Sequence, residues 1–276
     1  MRLDIYLTEH NLAQSRERAK KLIKDNCVKV NNLTCIKPSR EILDNDIVEC
    51  DDSKSDYVGR GLIKLETAFE NFNIDITDKI CADIGASTGG FTQFMLRNGA
   101  KQVYAIDVGH GQLDISLIND PRVVNCEGVN ARYLTHDFFE NKPEFISVDI
   151  SFISLTLVLP ALVNCLTDNG DMVVLIKPQF EAGKAALNKK GIVRDKKDHI
   201  RVIENLLMQF SGLGLSIGGI VPSAIQGGNG NIEYLAYLRK THCQSSKIDT
   251  KQLVDNAFNL FANKKGLTNY ENISVS

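Results

Sequence analysis

Six short apolar runs alternate with helix-like segments between residues 80 and 239, and this alternation restricts the fold more than any other feature of the sequence. The runs span residues 80–84, 103–107, 145–149, 171–177, 215–221 and 233–239. Their lengths suit buried strands, and most of the segments between them are long enough for crossover helices. The pattern predicts an α/β domain with a mostly parallel sheet that is covered by helices on both faces.

Two of the connecting helices can be located from their apolar faces. One carries Phe91, Phe94 and Met95 on a single face and ends before Gly99. The other spans residues 198–210, and we expect it to bury Ile200, Ile203, Leu207 and Phe210. The last two runs are joined through the glycine-rich stretch 227–231, which is too short for a crossover helix, so these strands pair antiparallel or through a hairpin. A parallel sheet that ends in this way resembles the methyltransferases that use S-adenosylmethionine.

The composition argues against several classes of protein. Of the 276 residues, 43% are hydrophobic and 24% are charged, which argues against wholesale disorder or a fibrous repeat. The seven cysteines have no metal-ligand or redox spacing, so we expect reduced thiols in a cytoplasmic protein and no metal site. The first residues lack the apolar region of a signal peptide, and the longest uncharged apolar stretch, 152–163, is too short to span a membrane. We therefore expect no membrane partner.

Charge is distributed in blocks that indicate domain boundaries. Residues 1–40 carry nine basic side chains and four acidic ones, whereas residues 41–56 carry seven acidic side chains and one lysine. From residue 57 onward the two signs are interspersed. We interpret residues 1–50 as a small basic domain, 51–60 as a linker, 61–240 as the α/β domain and 241–276 as a tail without an assignment.

The small basic domain is expected to contain two helices and a small sheet. Ser15 is a candidate cap for a helix that extends to Lys24, and its apolar face carries Ala19, Leu22 and Ile23. Residues 28–31 alternate like a short strand with an Asn-Asn turn, and residues 46–50 offer a second strand. One helix face is strongly basic, which by itself is most often a solvated surface.

This block resembles the S-four-like RNA-binding domain, named after a protein of the small ribosomal subunit. The resemblance rests on Arg2-Leu3-Asp4 with Leu7, on Ser15-Arg16 at the start of a basic helix, and on residues 28–31. It implies that basic side chains hold structured RNA through phosphate contacts and shape. The candidate RNA-binding residues are Arg2, Arg16, Arg18, Lys20, Lys21 and Lys24, with Arg60 at the end of the linker.

A glycine-rich turn follows the first run of the α/β domain and predicts a cofactor site. Gly85 allows a sharp turn, while Gly89 and Gly90 let the backbone approach a ligand at the start of a helix. Asp107 ends the next run at the offset where an acid reaches a ribose hydroxyl pair. The pattern resembles the first motif of S-adenosylmethionine-dependent methyltransferases, and the candidate cofactor-binding residues are Asp83, Gly85, Ser87, Gly89, Gly90, Asp107, Asn130 and Asp149.

Charged residues at strand ends are candidates for the chemistry, because ligands of open α/β sheets bind beyond the carboxyl ends of the strands. Asp149 and Lys177 each follow an apolar run, Lys64 lies at the entrance to the domain, and Glu233 enters the last strand. Each alone would more often be a surface charge, and a lysine after a buried strand can also reach out to solvent.

Together, Lys64, Asp149, Lys177 and Glu233 resemble the Lys-Asp-Lys-Glu tetrad of the FtsJ-like ribose 2′-O-methyltransferases. With the small domain in front and the motifs at 57–61, 149–155 and 177–181, residues 1 to about 240 resemble the TlyA family, some of whose members carry a haemolysin label. The resemblance implies a Rossmann-like methyltransferase sheet behind an α+β RNA-binding domain. It also implies S-adenosylmethionine as cofactor, ribosomal RNA or a ribosomal subunit as partner, and 2′-O-methylation of cytidines as the reaction.

The implied chemistry assigns a role to each charge. A ribose hydroxyl is a poor nucleophile, so methyl transfer needs alignment and the loss of the hydroxyl proton. Lys177 is the candidate base, and the nearby Lys64 ammonium, the cofactor's positive charge and partial burial all favour its deprotonated form. Asp149 and Glu233 would orient the lysines. Two alternatives stay open on the sequence: a haemolysin-type membrane-active protein, and a non-catalytic assembly factor that binds ribosomal RNA.

Overall fold

The structure is a computed structural model that describes residues 1–13, 15–24, 27–43, 45–51, 57–59, 61–241 and 244–269, with side chains described up to residue 262. Most of the predicted linker, together with Arg60 and Cys243, lies outside the described residues. The chain divides into two compact units, residues 1–60 and 61–276. Each unit has its own cluster of buried apolar side chains.

The first unit contains two helices and a three-stranded antiparallel sheet. The helices are α1 (Leu3–Glu9) and α2 (Arg16–Lys24), and the strands are β1 (Val28–Val30), β2 (Leu33–Thr34) and β3 (Val48–Cys50), in the order β2-β1-β3. The predicted elements are confirmed. The Ser15 hydroxyl accepts the backbone N–H of Arg18, and the turn between β1 and β2 has positive φ at Asn31 and Asn32.

The apolar faces of the small unit explain why these short elements hold together. Ala19, Leu22 and Ile23 of α2 are fully buried, as the sequence predicts. They pack in one cluster with Leu3 and Leu7 of α1. Burying a leucine or isoleucine side chain contributes about 1.5–3 kcal/mol, which stabilises elements too short to form alone.

The second unit alternates strands with helices from α3 onward. Its strands are β4 (Ile80–Ile84), β5 (Gln102–Asp107), β6 (Val123–Glu127), β7 (Phe145–Val148), β8 (Asp171–Ile176), β9 (Ser216–Pro222) and β10 (Tyr234–Arg239). Its helices are α3 (Gly61–Asn71), α4 (Gly90–Arg97), α5 (Ile115–Ile118), α6 (Leu155–Cys165), α7 (Pro178–Glu181), α8 (Lys196–Gly212) and α9 (Thr250–Asn269).

The strands of the second unit form one sheet in the order β6-β5-β4-β7-β8-β10-β9 among the described residues. Strands β6, β5, β4, β7 and β8 are parallel, and β10 pairs antiparallel with both β8 and β9. The predicted α/β class and the antiparallel pairing of the last two strands are confirmed. The strand order reverses between β4 and β7, and the carboxyl ends of the strands at such a switch point leave a crevice for a ligand.

The structure adds one strand that the six apolar runs do not include. Strand β6 lies at the edge of the sheet, and its side chains are mostly half-buried. An edge strand has one neighbour instead of two, so its residues need less apolar character. The continuous apolar pattern of a central strand is therefore missing there.

The buried face of α8 differs from the expected one. Ile203 and Phe210 are buried as predicted, but Ile200 and Leu207 are only half-buried. The face turned to the sheet instead buries His199, Val202 and Leu206. The buried ring of His199 has polar partners there, 2.9 Å away at the Tyr234 hydroxyl and 3.1 Å away at the Val193 carbonyl oxygen, which a pattern of apolar residues cannot reveal.

The segment that received no assignment from the sequence contributes to the large core. Helix α9 buries Leu253, Val254, Ala257 and Phe261, and these side chains belong to the same cluster as the strands of the sheet. Among the helices of the described residues, none has the length and apolarity that crossing a membrane requires.

Candidate active site

A cavity of about 510 Å³ lies at the carboxyl ends of β4, β5 and β7. Its size falls in the range of small-molecule sites. Five of the predicted cofactor-binding residues line it, namely Gly85, Ser87, Asp107, Asn130 and Asp149. The other three, Asp83, Gly89 and Gly90, do not contribute to its wall. Five of the eight predicted residues therefore lie at this cavity, while most of its wall is formed by residues that the sequence did not single out.

The glycines of the first turn are required by close contacts. Gly85 has φ +84°, and a Cβ there would collide with the carbonyl oxygen of Asp149. Gly89 has φ +97°, and a Cβ there would collide with the side chain of Leu117. The turn after β4 thus needs glycine for its conformation and for the approach of neighbouring segments. It brings the backbone of β4 close to the loop that carries Asp149.

Asp107 fixes the shape of the cavity at the end of β5. Its two carboxylate oxygens accept the backbone N–H groups of Ser87, at 2.8 Å, and Gly109, at 2.7 Å. Each oxygen keeps further capacity to accept a hydrogen bond. The sequence reasoning missed Gln112, which lines the same wall and accepts the Ser87 hydroxyl at 3.2 Å. No motif surrounds Gln112, so only its place in the fold identifies it.

Asn130 and Asp83 differ in what their side chains contact. The side-chain oxygen of Asn130 accepts the backbone N–H of Arg132, while the residue lines the cavity. Asp83 is buried beneath the turn, where it accepts the hydroxyls of Thr92, at 2.7 Å, and Ser147, at 3.2 Å. Burial, opposed by the hydrogen bond from Thr92, raises the pKa of Asp83 to about 7. Asp83 thus ties α4 to β4 and β7 instead of facing the cavity.

The four predicted catalytic residues meet in one cluster of alternating charge. The Lys177 ammonium lies 2.5 Å from one oxygen of Asp149, and the Lys64 ammonium lies 3.7 Å from the other. Lys64 also lies 2.8 Å from a carboxylate oxygen of Glu233. Two cations and two anions therefore alternate along a chain from Lys177 to Glu233. Such a chain is compatible with burial because each charge has an opposite charge beside it.

The cluster is withdrawn from solvent, and two neutral side chains complete it. Glu233 is 2% exposed and Lys177 is 7% exposed, so Lys177 does not reach out to solvent. Its ammonium donates to the Ser151 hydroxyl at 2.8 Å. The Gln179 amide donates to Glu233 at 3.3 Å. The sequence reasoning did not assign Ser151 or Gln179, although both lie in motifs directly after a strand end, where ligand contacts are expected.

An aromatic side chain stands at the mouth of the cavity. Phe152 is 90% exposed and adopts a positive φ of 66°, which is unusual for a bulky residue. Its ring centroid lies 5.2 Å from that of Phe180, and the Lys177 ammonium lies 5.9 Å from the Phe180 ring. An exposed ring held in a strained conformation beside charged groups is a feature of functional loops.

The candidate RNA-binding residues of the small unit fall into two groups. Lys20, Lys21 and Lys24 are exposed on α2. Arg2 and Arg16 are bound through Nε to the buried carboxylate of Asp4, at 2.9 and 2.8 Å. The hydrogen bond from Arg2 is the largest cause that lowers the pKa of Asp4 to about 2. Arg18 is half-buried, and Arg60 lies outside the described residues.

Within the described residues, no three His, Cys, Asp or Glu side chains are placed to hold a metal ion. Four of the described cysteines, Cys27, Cys35, Cys81 and Cys165, are buried, and Cys50 and Cys126 are half-buried. Burial raises the pKa of Cys81 to about 12, which keeps that thiol protonated.

The fold and the charged cluster define a methyltransferase class. Residues 57–240 match the FtsJ-like methyltransferase family, and residues 1–48 match the S4 domain. The first match covers more than half of the chain and includes all four residues of the charged cluster.

The chain belongs to the TlyA family of FtsJ-like methyltransferases. It is 46% identical over 239 residues to a putative rRNA methyltransferase, YqxC, from Bacillus subtilis. The aligned region covers 86% of this chain and 85% of that protein. It is 41% identical over 239 residues to the 16S/23S rRNA (cytidine-2′-O)-methyltransferase TlyA from Mycobacterium tuberculosis, which covers 86% and 89% of the two chains. A solved structure of a putative hemolysin from Streptococcus thermophilus superposes with a TM-score of 0.75 at 42% identity, covering 96% of this chain and 98% of that one.

Proposed function

We propose that this protein transfers a methyl group from S-adenosylmethionine to the ribose 2′-hydroxyl of cytidine in ribosomal RNA. The observation that carries the proposal is the convergence of Lys64, Asp149, Lys177 and Glu233 beside the cavity at the strand ends. The name of the relative from Mycobacterium tuberculosis, a 16S/23S rRNA (cytidine-2′-O)-methyltransferase, supports the substrate.

The cavity fits the chemical groups of S-adenosylmethionine. Asp107 can accept the ribose hydroxyls. Each of its oxygens accepts one backbone N–H, from Ser87 or Gly109, and keeps the capacity to accept a further hydrogen bond. The Asn130 amide can donate to the adenine base. Gly85 and Ser87 also line the wall, and Asp149, which belongs to both the cavity wall and the charged cluster, would face the cationic part of the ligand. S-adenosylmethionine, when bound, supplies an electrophilic methyl group.

Lys177 is the residue that would take the proton of the attacking hydroxyl. It lies at the end of β8, where φ −112° and the following Pro178 hold it in an extended conformation. A deprotonated lysine can accept a proton, and its contact with Ser151 fixes the direction of the amine. Placing base and hydroxyl in contact removes much of the entropic cost of the reaction.

The remaining charges set the position of Lys177. Asp149 contacts both ammonium groups, so it orients them while it balances their charge. Glu233 is held from two sides, by Lys64 and by Gln179, and it keeps the Lys64 ammonium beside Asp149.

The small unit and the ring at the cavity mouth would bind the RNA. Lys20, Lys21 and Lys24 present an exposed basic face to phosphates. Phe152 offers an exposed ring on which a base can stack, as aromatic side chains do in single-stranded RNA recognition. A ribosomal RNA or ribosomal subunit substrate agrees with the cytoplasmic location expected from the cysteine content.

The test is methyl transfer by the purified protein to ribosomal RNA from cells that lack the gene. Radiolabelled S-adenosylmethionine reports transfer, and mapping of 2′-O-methyl positions locates the product. We expect labelled 2′-O-methylcytidine at discrete sites with the wild type, and none with Lys177→Ala. Lys79→Ala, at a lysine that pairs with Asp171 and does not line the cavity, is the matched control and keeps full activity.

Each alternative predicts a different result from the same preparation. A non-catalytic assembly factor binds the RNA but transfers no label and shows no heat of S-adenosylmethionine binding in calorimetry. A membrane-active protein lyses erythrocytes, and Asp107→Ala leaves that lysis unchanged. Methylation on a base instead of a ribose would contradict the role given to Lys177.

A further inference from the structure

Two loops that carry active-site residues are joined by a carboxylate that touches neither the cavity nor the charged cluster. The first loop, residues 149–154, follows β7 and carries Asp149, Ser151 and Phe152. The second follows β8 and forms the short helix α7, which ends at Glu181. One oxygen of Glu181 accepts the Ser154 hydroxyl at 2.6 Å, and the other accepts the backbone N–H of Leu155 at 2.8 Å.

The first loop is therefore held at both of its ends. At its start, the backbone N–H of Asp149 donates to the carbonyl oxygen of Ile84 at 2.8 Å. At its end, Glu181 binds Ser154 and Leu155 at the beginning of α6. Between these points the Ser151 hydroxyl accepts the Lys177 ammonium at 2.8 Å. Glu181 lies four residues after Lys177 in the chain, so the two contacts join the same pair of loops.

The conformation of the loop needs such a restraint. Phe152 has a positive φ of 66° and is 90% exposed, so its ring contact with Phe180 covers too little of the side chain to impose the conformation. A strained residue of this kind persists only when its surroundings fix the backbone on both sides. Glu181 is half-buried, and burial raises its pKa despite the hydrogen bonds from Ser154 and Leu155.

We propose that Glu181 is a positioning residue, which clamps the loop 149–154 to the segment after Lys177 and so fixes Asp149 and Ser151 against the Lys177 ammonium. The inference rests on the proposed function for its consequence in catalysis, but the clamp itself is a statement about the loop. Loss of the clamp should lower the rate of methyl transfer more than it weakens ligand binding, because Glu181 itself does not line the cofactor cavity, whereas the loop that it holds contributes Asp149 and Phe152 to the cavity wall.

The kinetic test compares three variants in single-turnover methyl transfer at saturating RNA and S-adenosylmethionine. Glu181→Ala is expected to lower the rate by roughly 10- to 100-fold, since small misplacements of reacting groups cost this much. Glu181→Gln keeps an acceptor for Leu155 and a donor for Ser154, so it should restore a rate close to that of the wild type. Asp195→Ala removes a comparable helix cap, at Lys197 on α8, and serves as the control for lost stability.

Binding and coupling measurements separate positioning from a general structural role. The dissociation constants for S-adenosylmethionine and RNA should rise in Glu181→Ala by a smaller factor than the rate falls, because the loop lines the cavity but Glu181 does not. Ser154→Ala should lower the rate too, and the double variant should be no slower than the slower single one, because both changes break one contact. The proposal is overturned if Glu181→Ala is no slower than Asp195→Ala, or if Glu181→Gln is as slow as Glu181→Ala.

A second readout needs no enzymatic activity. The chain contains no tryptophan, so Phe152→Trp places a single indole at the exposed position of the loop. Its fluorescence anisotropy should fall when Glu181→Ala is added and stay unchanged with Glu181→Gln or Asp195→Ala. Unchanged anisotropy in all three would refute the clamp. If the wild type transfers no methyl group, the proposed function fails while the anisotropy still decides on the clamp.

Discussion

Both units of this protein contain a carboxylate between two cations, and the two arrangements differ in which partner is buried. In the small unit, the fully buried side chain of Asp4 binds Arg2 and Arg16, whose side chains are 43% and 51% exposed. In the large unit, Asp149 contacts Lys64 and Lys177, whose side chains are only 12% and 9% exposed. In the first case the cations face water, and in the second they are withdrawn from it.

The exposure and the type of the cations determine what each arrangement can do. A guanidinium keeps its charge at any accessible pH and presents several donors, so Arg2 and Arg16 can hold Asp4 and still face a phosphate. A lysine, unlike an arginine, can act as a proton acceptor once it has lost its proton. The exposed pair suits binding of a polyanion, whereas the buried pair suits proton transfer. The following predictions test this contrast, beginning with the largest effect.

Replacing Lys177 by arginine should separate the effect of its positive charge from its role in proton transfer. We expect both Lys177→Arg and Lys177→Ala to lower single-turnover methyl transfer by about 10²–10⁴-fold, the usual contribution of a general base. S-adenosylmethionine and RNA binding should persist in Lys177→Ala. Substantial turnover by Lys177→Arg would show that the residue positions the substrate and that the proton leaves by another route.

Asp107 is a third type of carboxylate, because backbone N–H groups from two segments hold it instead of cations. Asp107→Ala is expected to weaken S-adenosylmethionine binding by about 10- to 100-fold, as loss of charged hydrogen bonds costs roughly 1.5–3 kcal/mol. Isothermal titration calorimetry measures this, with Asp137→Ala, an exposed acid outside the cavity wall, as control. Wild-type affinity in Asp107→Ala would contradict the assignment.

The exposed lysines of α2 should strengthen RNA binding in proportion to the number of charges that they contribute. The combined change Lys20→Ala, Lys21→Ala and Lys24→Ala is expected to reduce the slope of log affinity for RNA against log salt by about 2–3, since each phosphate contact adds nearly one unit. Filter binding over a range of salt concentrations measures the slope. Lys101→Ala, an exposed lysine of the large unit, is the control. An unchanged slope would place the RNA contacts elsewhere.

The smallest effect concerns the stability of the small unit in acid. Its arginines lower the pKa of Asp4 from 3.8 to about 2, so the ionised form stabilises the folded state above pH 4. This contribution should be lost as the pH falls from about 4 to 2, and we expect about 1 kcal/mol, because both partners are half-exposed. Urea unfolding at several pH values should show this acid-dependent loss in the wild type and not in Asp4→Asn.

Local patterns in the sequence determined the class of fold and the outline of the crevice. Apolar runs report strands because neighbouring side chains alternate or are all buried, and Gly85 and Gly89 report a turn because their backbone conformations exclude other residues. The position of Asp107 near the turn could be predicted, because one helix and one strand separate the two in the sequence. The basic face of α2 could also be predicted from local sequence, since residues four apart share a helix face.

Contacts between distant residues were decided by the tertiary structure. The sequence could not show that Asp83 turns inward to Thr92 and Ser147, or that Asp4 holds two of the arginines predicted to bind RNA. It could not supply the link from Glu181 to Ser154 either. Each of these depends on which strands are neighbours and which way a side chain turns. The distance between two residues in the sequence does not reveal strand neighbours or side-chain directions. Packing and the pairing of buried charges determine both only once the sheet has formed.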